Sequence, residues 1–230
     1  HAQQEIAERE RAEEVLQRRA TQLAILSLVG EQIVSELDLD DVLARAVNLI
    51  HDNFGYHHVA IFITDHEQDK TVMKTMAGSF VNLFPSGHSL RLGQGMVGWV
   101  AQEGRRLLAN DVHTEPRYVS LSSEIIPTRS ELSVPIRVGQ EIVGVLDAQS
   151  PQLDAFDHND VMVLETLAGQ IAAAIENARL YGSVQQELAE RKRAEQALQK
   201  YREHLEELVE QRTAELRSTN EQPVSYTHLQ

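Results

Sequence analysis

Apolar residues recur with heptad spacing at both ends of the chain and with shorter, mixed spacing in the middle. The N-terminal seam runs Ala12, Leu16, Arg19, Leu23, Leu26, Gly30, Ile33, Leu37, and the C-terminal seam runs Ala194, Leu198, Tyr201, Leu205, Leu208. Alternating steps of three and four residues mark the stripe by which one helix pairs with another in a coiled coil. Between the arms, Val42, Leu43, Ala46, Val47 and Ile50 form one helical face behind Asp38, a good N-cap, and this face stops at Phe54-Gly55. Val59 to Thr64 is a short, partly β-branched apolar run suited to a central strand, and Val72 to Met76 alternates weakly and can pair with it. Leu132 to Val138 and Ile142 to Ala148 flank Gly139-Gln140, a two-residue link with glycine first, as a type II′ hairpin requires. Pro135 lacks an amide donor, so its strand should have an edge or a bulge there. Consecutive strands joined by hairpins predict an antiparallel sheet in a mixed α and β fold.

The last helix of the middle region begins at Asp157. Phe156 and Val161 are spaced as a hydrophobic staple, Asp160 falls at the third helical position, and the buried face runs Val161, Leu164, Ala168, Ile171, Ile175, Ala178. No proline interrupts the chain again until Pro223. A helix over 157–219 would be about 90 Å long, against about 35 to 40 Å for a 150-residue domain, so it is expected to project as a rod that seeks a partner. The seam loses phase near Gly182, where the apolar residues become Leu180, Val184 and Leu188. Such a slip changes local winding, and a mid-helix glycine costs about 1 kcal/mol relative to alanine, so Gly182 is the expected hinge.

Punctuation and charge sharpen this partition. All twelve glycines lie between Gly30 and Gly182, and five of the six prolines between Pro85 and Pro151. The expected organisation is an N-terminal coiled-coil arm (1–20), a globular domain (21–181), a C-terminal coiled-coil helix (182–222) and a disordered or non-native tail (223–230). Of the net charge of -14, residues 1–19 carry -1 and residues 183–222 carry -2, so the acidic field belongs to the middle. An acidic surface argues against nucleic acid, whose binders need a basic footprint. The chain contains no cysteine, which removes disulfides, thiolate zinc sites and thiol nucleophiles. Its longest mostly apolar run, Leu23 to Val29, is far below the roughly 20 residues that span a bilayer, so this segment is not expected to insert in a membrane itself.

The middle region contains Gly93-Gln-Gly-Met-Val-Gly-Trp-Val-Ala101, Asn110-Asp-Val-His-Thr-Glu-Pro-Arg-Tyr118, Leu132-Ser-Val-Pro-Ile136, Ile142-Val-Gly-Val-Leu146, and Phe156-Asp-His-Asn-Asp160 with Ala168-Gly-Gln-Ile-Ala-Ala-Ala-Ile-Glu-Asn-Ala-Arg-Leu180. In this order the phrases resemble the GAF domain, a small-molecule sensor module of bacterial signalling proteins. The resemblance implies an α+β fold of two layers, an antiparallel sheet with a helix bundle on one face and a ligand cavity under loops on the other. The arms, above all Tyr201 to Leu216, resemble linkers that lead into sensor histidine kinases. By the same resemblance the pocket candidates are Phe62, Trp99, Asp111, Arg117, Tyr118 and Arg129, each with a plainer alternative as turn former, core residue or surface charge.

Other chemistries fit less well. Gly93-x-Gly95-x-x-Gly98 matches a dinucleotide fingerprint, but that motif needs a parallel strand before it and a long crossover helix after it. Here His88 to Leu92 is a poor strand and Gly104 ends the helix after about nine residues, so the glycines are expected to let a loop and helix approach the sheet closely. Cyclic-nucleotide-binding relatives resemble one another through an Asn-Lys pair and a following Phe-x-x-x-Asp-Glu, where this chain has Gln149-Ser150 and Val161 in place of Asn-Lys and Glu. Relatives that attach a bilin or reduce methionine sulfoxide need cysteine. His57 and His58 are adjacent and should point to opposite faces of a strand, and His88 and His113 read as surface histidines, so no metal site is expected. His204-Leu-Glu-Glu-Leu is not a phospho-acceptor box, and Arg191-Lys-Arg193 reads as a solvated helix face.

The expected function is therefore a non-catalytic sensor module with no cofactor beyond an unknown small molecule held noncovalently. It would lie in the cytoplasmic part of a multidomain protein, such as a histidine kinase or diguanylate cyclase, with further signalling domains upstream and downstream. It would form a parallel homodimer through the seam residues Leu16, Leu23, Leu26, Ile33, Leu198, Tyr201, Leu205 and Leu208. The alternatives are a ligand-free relay module whose cavity is filled by its own side chains, and a haem or iron redox sensor.

Overall fold

The computed structural model describes residues 39–79, 81, 87–119 and 127–220. The N-terminal seam, with Leu16, Leu23, Leu26 and Ile33, and the tail 223–230 lie outside the described residues. The elements run α1 (Leu39–Phe54), β1 (His58–Asp65), β2 (Lys70–Gly78), β3 (Ser89–Arg91), α2 (Gly95–Glu103), β4 (Leu107–Ala109), a 3-10 turn (Val112–Thr114), β5 (Ser130–Val138), β6 (Glu141–Ser150) and α3 (His158–Asn220). The six strands form one sheet in the order β3-β2-β1-β6-β5-β4, antiparallel at every neighbouring pair. This is the α+β fold with an antiparallel sheet that the strand pattern and the resemblance imply.

The chain divides after Leu180 into two compact units. In the first, strand alternation separates two faces. Val59 and Ile61 of β1, Leu132, Val134 and Ile136 of β5, and Leu146 and Ala148 of β6 all join one core with α1 and the first turns of α3. From α1 the core takes Val42, Leu43, Ala46, Val47 and Ile50, and from α3 it takes Leu164, Leu167 and Ile171, all at most 1% exposed. Full burial of each Val, Leu or Ile side chain in this layer contributes about 1.5–3 kcal/mol.

Local chemistry sets the borders. Asp157 caps α3, its Oδ1 accepting from the Asn159 and Asp160 amides at 2.7 and 3.0 Å, while Asp160 Oδ2 accepts from the Asp157 amide at 2.8 Å. β5 and β6 are joined by Gly139-Gln140, with Val138 opposite Glu141 and Gly139 at φ 60°. Of the two alternatives for Pro135, the strand has an edge: β4 pairs only with residues 131–133, leaving β5 unpaired on that side beside the proline, while the β5–β6 register shifts just beyond it, between Ile136 and Arg137.

The second unit is helical from Tyr181 to Asn220. Leu198, Tyr201, Leu205 and Leu208 are 40–62% exposed on the single chain. Ion pairs Arg191–Glu195, Arg202–Glu206 and Arg212–Glu215 lie along its surface and contribute at most a few tenths of a kcal/mol each. Gly182 lies within the continuous helix α3. No helix among the described residues is long and apolar enough to cross a membrane.

Candidate functional site

The second face of the sheet follows from the first. If Val59 and Ile61 face the helices, then His58, Ala60 and Phe62 face the other way; so do Glu131 and Ser133 on β5, and Val145, Asp147 and Gln149 on β6. Register then places them in rows, with Gln149 between Glu131 and His58, and Asp147 between Ser133 and Ala60. α2 covers this face, its Val97, Val100 and Ala101 packing on Ala60, Phe62, Met73 and Val145. Its close approach depends on Gly98, where a Cβ would run into the backbone carbonyl of Arg91.

α2 does not fill the face. A cavity of about 60 Å³ remains, with Phe62, Met73, Met96, Val97 and Tyr118 among its apolar and aromatic walls, and His58, His88, Glu131, Asp147 and Gln149 among its polar ones. That volume is a few water molecules' worth. The acids belong to a buried network. Ser133 Oγ donates to Asp147 Oδ1 at 2.6 Å and lies 3.5 Å from Glu131 Oε1, Gln149 Nε2 donates to Asp147 Oδ2 at 2.8 Å, and Thr128 Oγ1 donates to Gln149 Oε1 at 2.8 Å. Asp147 and Ser133 are fully buried and Glu131 is 4% exposed.

Burial dominates the electrostatics. It pushes the Glu131 carboxyl well above the usual carboxylate range, and the charge of Asp147 pushes it further. Burial also raises Asp147 to about 6, against the opposing hydrogen bonds from Ser133 and Gln149. His58 is lowered to about 4, first by burial and then by the neighbouring His57, and burial also lowers His88. At neutral pH the cavity therefore offers neutral imidazoles and a carboxyl pair that retains protons unusually well.

Of the six pocket candidates, Phe62 and Tyr118 line the cavity. Trp99 and Arg117 are brought together beside it, the guanidinium 4.6 Å from the indole ring centre, while Arg117 also pairs with Glu115 at 2.8 Å. Asp111 caps the 3-10 turn, accepting from the His113 amide at 3.2 Å. Arg129 stands just ahead of β5, where its carbonyl accepts from the Val112 amide and its own amide donates to Ser150. His88, expected at the surface, is half-buried against the cavity because β3 pairs with β2 beside it. His58 is buried on β1, whereas His57 precedes the strand and is half-buried. Among the described residues no three His, Asp or Glu side chains converge to hold a metal ion.

The sequence reading missed Glu131, Ser133 and Asp147, although a signal exists. Each falls at a position alternating with the apolar residues Leu132, Val134 and Ile136 of β5 or Leu146 and Ala148 of β6, and so on the opposite face of the sheet.

Residues 36–176 match the family model of the GAF domain, and the chain belongs to the GAF family. It is 29% identical to Protein YtsP of Bacillus subtilis (strain 168) over 132 residues, which cover 57% of this chain and 77% of that protein. The fold is similar to the GAF domain of an Acinetobacter phosphoenolpyruvate-protein phosphotransferase, with TM-score 0.61 and 28% identity over 69% of this chain and 95% of that one. It is also similar to free methionine-R-sulfoxide reductase of Neisseria meningitidis, solved in complex with its substrate, with TM-score 0.62 and 26% identity over 68% and 89%.

Proposed function

We propose that this GAF domain is a sensor module that binds a small molecule noncovalently in the cavity beneath α2 and passes the change to a dimeric C-terminal helix. The parent is a cytoplasmic signalling protein of several domains, such as a histidine kinase. The observation that carries the reading is a cavity with apolar walls and a buried polar floor. Burying polar groups is costly unless a partner repays them, and a pocket with a few convergent polar groups is the usual form of a small-molecule site. The absence of cysteine supports binding rather than thiol chemistry, although a fold relative is a methionine-R-sulfoxide reductase. The exposed heptad residues Leu198, Tyr201, Leu205 and Leu208 support pairing with a second copy.

Thermal-shift screening of metabolites, with native mass spectrometry of the purified chain, tests the ligand reading. A bound metabolite should raise the melting temperature, and Ala60→Phe, which fills the cavity, should abolish the effect. Failure to find any ligand by either method would favour a relay module that works empty.

A further inference from the structure

We propose that a second site, separate from the cavity, binds the phosphate group of a small phosphomonoester in an arginine-lined groove at the free edge of β5.

The groove follows from how the sheet ends. β4 pairs only with residues 131–133, so the rest of β5 has no neighbouring strand on that side. A groove of about 560 Å³ opens there, lined by Gly104, Arg105 and Arg106 between α2 and β4, by Pro135 and Arg137 of β5, and by Glu165 and Gly169 of α3. None of these residues lines the cavity. Sites for small molecules are commonly of this size.

The first observation is charge. The lining holds three arginines and one glutamate, an excess of two positive charges in a chain whose net charge is -14. Arg106 is engaged, 2.7 Å from Glu165. Arg137 donates through Nη2 to the Gly104 carbonyl, and among the described residues neither it nor Arg105 has a carboxylate partner. The bond to Gly104 holds the Arg137 guanidinium against the backbone next to Arg105, so the two uncompensated cations share one groove and repel each other unless an anion joins them.

The second observation is Gly169. It lies inside α3, where glycine is disfavoured relative to alanine, yet a Cβ there would meet nothing within 4 Å. Gly98 and Gly104 differ, since a Cβ would strike the Arg91 carbonyl at the first and the Arg137 guanidinium at the second. Packing within the chain therefore does not call for glycine at 169; the missing side chain leaves the α3 wall of the groove open to a ligand.

Ligand classes separate on this chemistry. A cation is repelled, and a neutral molecule leaves both guanidiniums uncompensated. A carboxylate brings one negative charge. A phosphomonoester brings nearly two at neutral pH, on three oxygens that suit the forked donors of two arginines. Nucleic acid would need basic surface well beyond one groove, and the chain as a whole is acidic.

The test is titration of the full chain followed by backbone amide NMR at constant ionic strength, with glycerol 3-phosphate and inorganic phosphate against glycerol and acetate. The phosphate probes should give saturable shifts around residues 104–106, 137 and 169, acetate should bind at least fivefold more weakly, and glycerol should not bind. Arg105→Gln and Arg137→Gln should each weaken phosphate binding at least fivefold. Glu165→Gln, which frees Arg106, should tighten it severalfold, a gain that a misfolded variant cannot produce. Gly169→Gln should weaken it severalfold by occupying the groove, and since its Cβ meets no atom within 4 Å and glutamine favours a helix more than glycine does, the fold is retained. Equal binding of acetate, shifts confined to other parts of the chain, no saturable shift at all, or unchanged affinity in both arginine variants overturns the proposal.

Discussion

Burial acts on His58 and Asp147 with opposite consequences for stability. His58 titrates near 4 in the folded chain against 6.5 ordinarily, so the unfolded chain takes the proton first and stability falls as pH drops from 6.5 towards 4. The full shift corresponds to roughly 3 kcal/mol. Asp147 titrates near 6 against 3.8, so the folded chain takes the proton first; the stability it adds is complete below 3.8 and lost as pH rises through 6. Between pH 4 and 6 the two effects oppose each other. Relative to wild type, His58→Gln should gain urea resistance as pH is lowered through this window and Asp147→Asn should lose it. Parallel pH profiles for all three proteins would refute the assignment. At Gly98 the limit is steric: Gly98→Ala pushes a Cβ into the Arg91 carbonyl, and a loss of about 1–3 kcal/mol is expected in chemical denaturation.

At the scale of elements, the start of α3 is a reciprocal cap. Asp157 accepts from two amides of the first turn while Asp160 returns the bond, with Phe156 and Val161 as the staple. Asp157→Ala should cost about 1 kcal/mol and Asp157→Ser much less, measured by urea denaturation at pH 7. The hydrogen bonds from Asp160 and Asn159 hold the Asp157 carboxyl below its ordinary 3.8, so its contribution is present above that value and lost as pH falls beneath it. The penalty of Asp157→Ala should therefore shrink in strong acid. The long helices and the β5–β6 hairpin were legible in the chain because their signals are local: a cap, a 3-4 spacing, a glycine-first link. β3 and β4 were not, since three residues carry no readable period and each exists only because β2 or β5 offers it an edge.

At the scale of the whole molecule, the second unit bears apolar residues in heptad order that a single chain leaves largely exposed. Light scattering at tens of micromolar should show a dimer, and Leu198→Glu with Leu205→Glu should reduce it to a monomer with the first unit still folded. A wild-type monomer would remove the relay half of the proposed function. Family membership was also legible at this scale, because the phrases that carry it fall in the correct order along the chain.

The sequence by itself determined the type of the main elements and the antiparallel sheet, which depend on spacing between near neighbours. Only the tertiary structure decided which polar residues meet. Glu131, Ser133, Asp147, Gln149 and His58 come from three strands and become one buried group through register and pleat, while Asp111, taken from its motif as a ligand contact, has its carboxylate engaged in a turn. Periodicity reports which face a side chain shares with its own strand; which strand lies beside it, and what covers both, is settled by packing across the sheet.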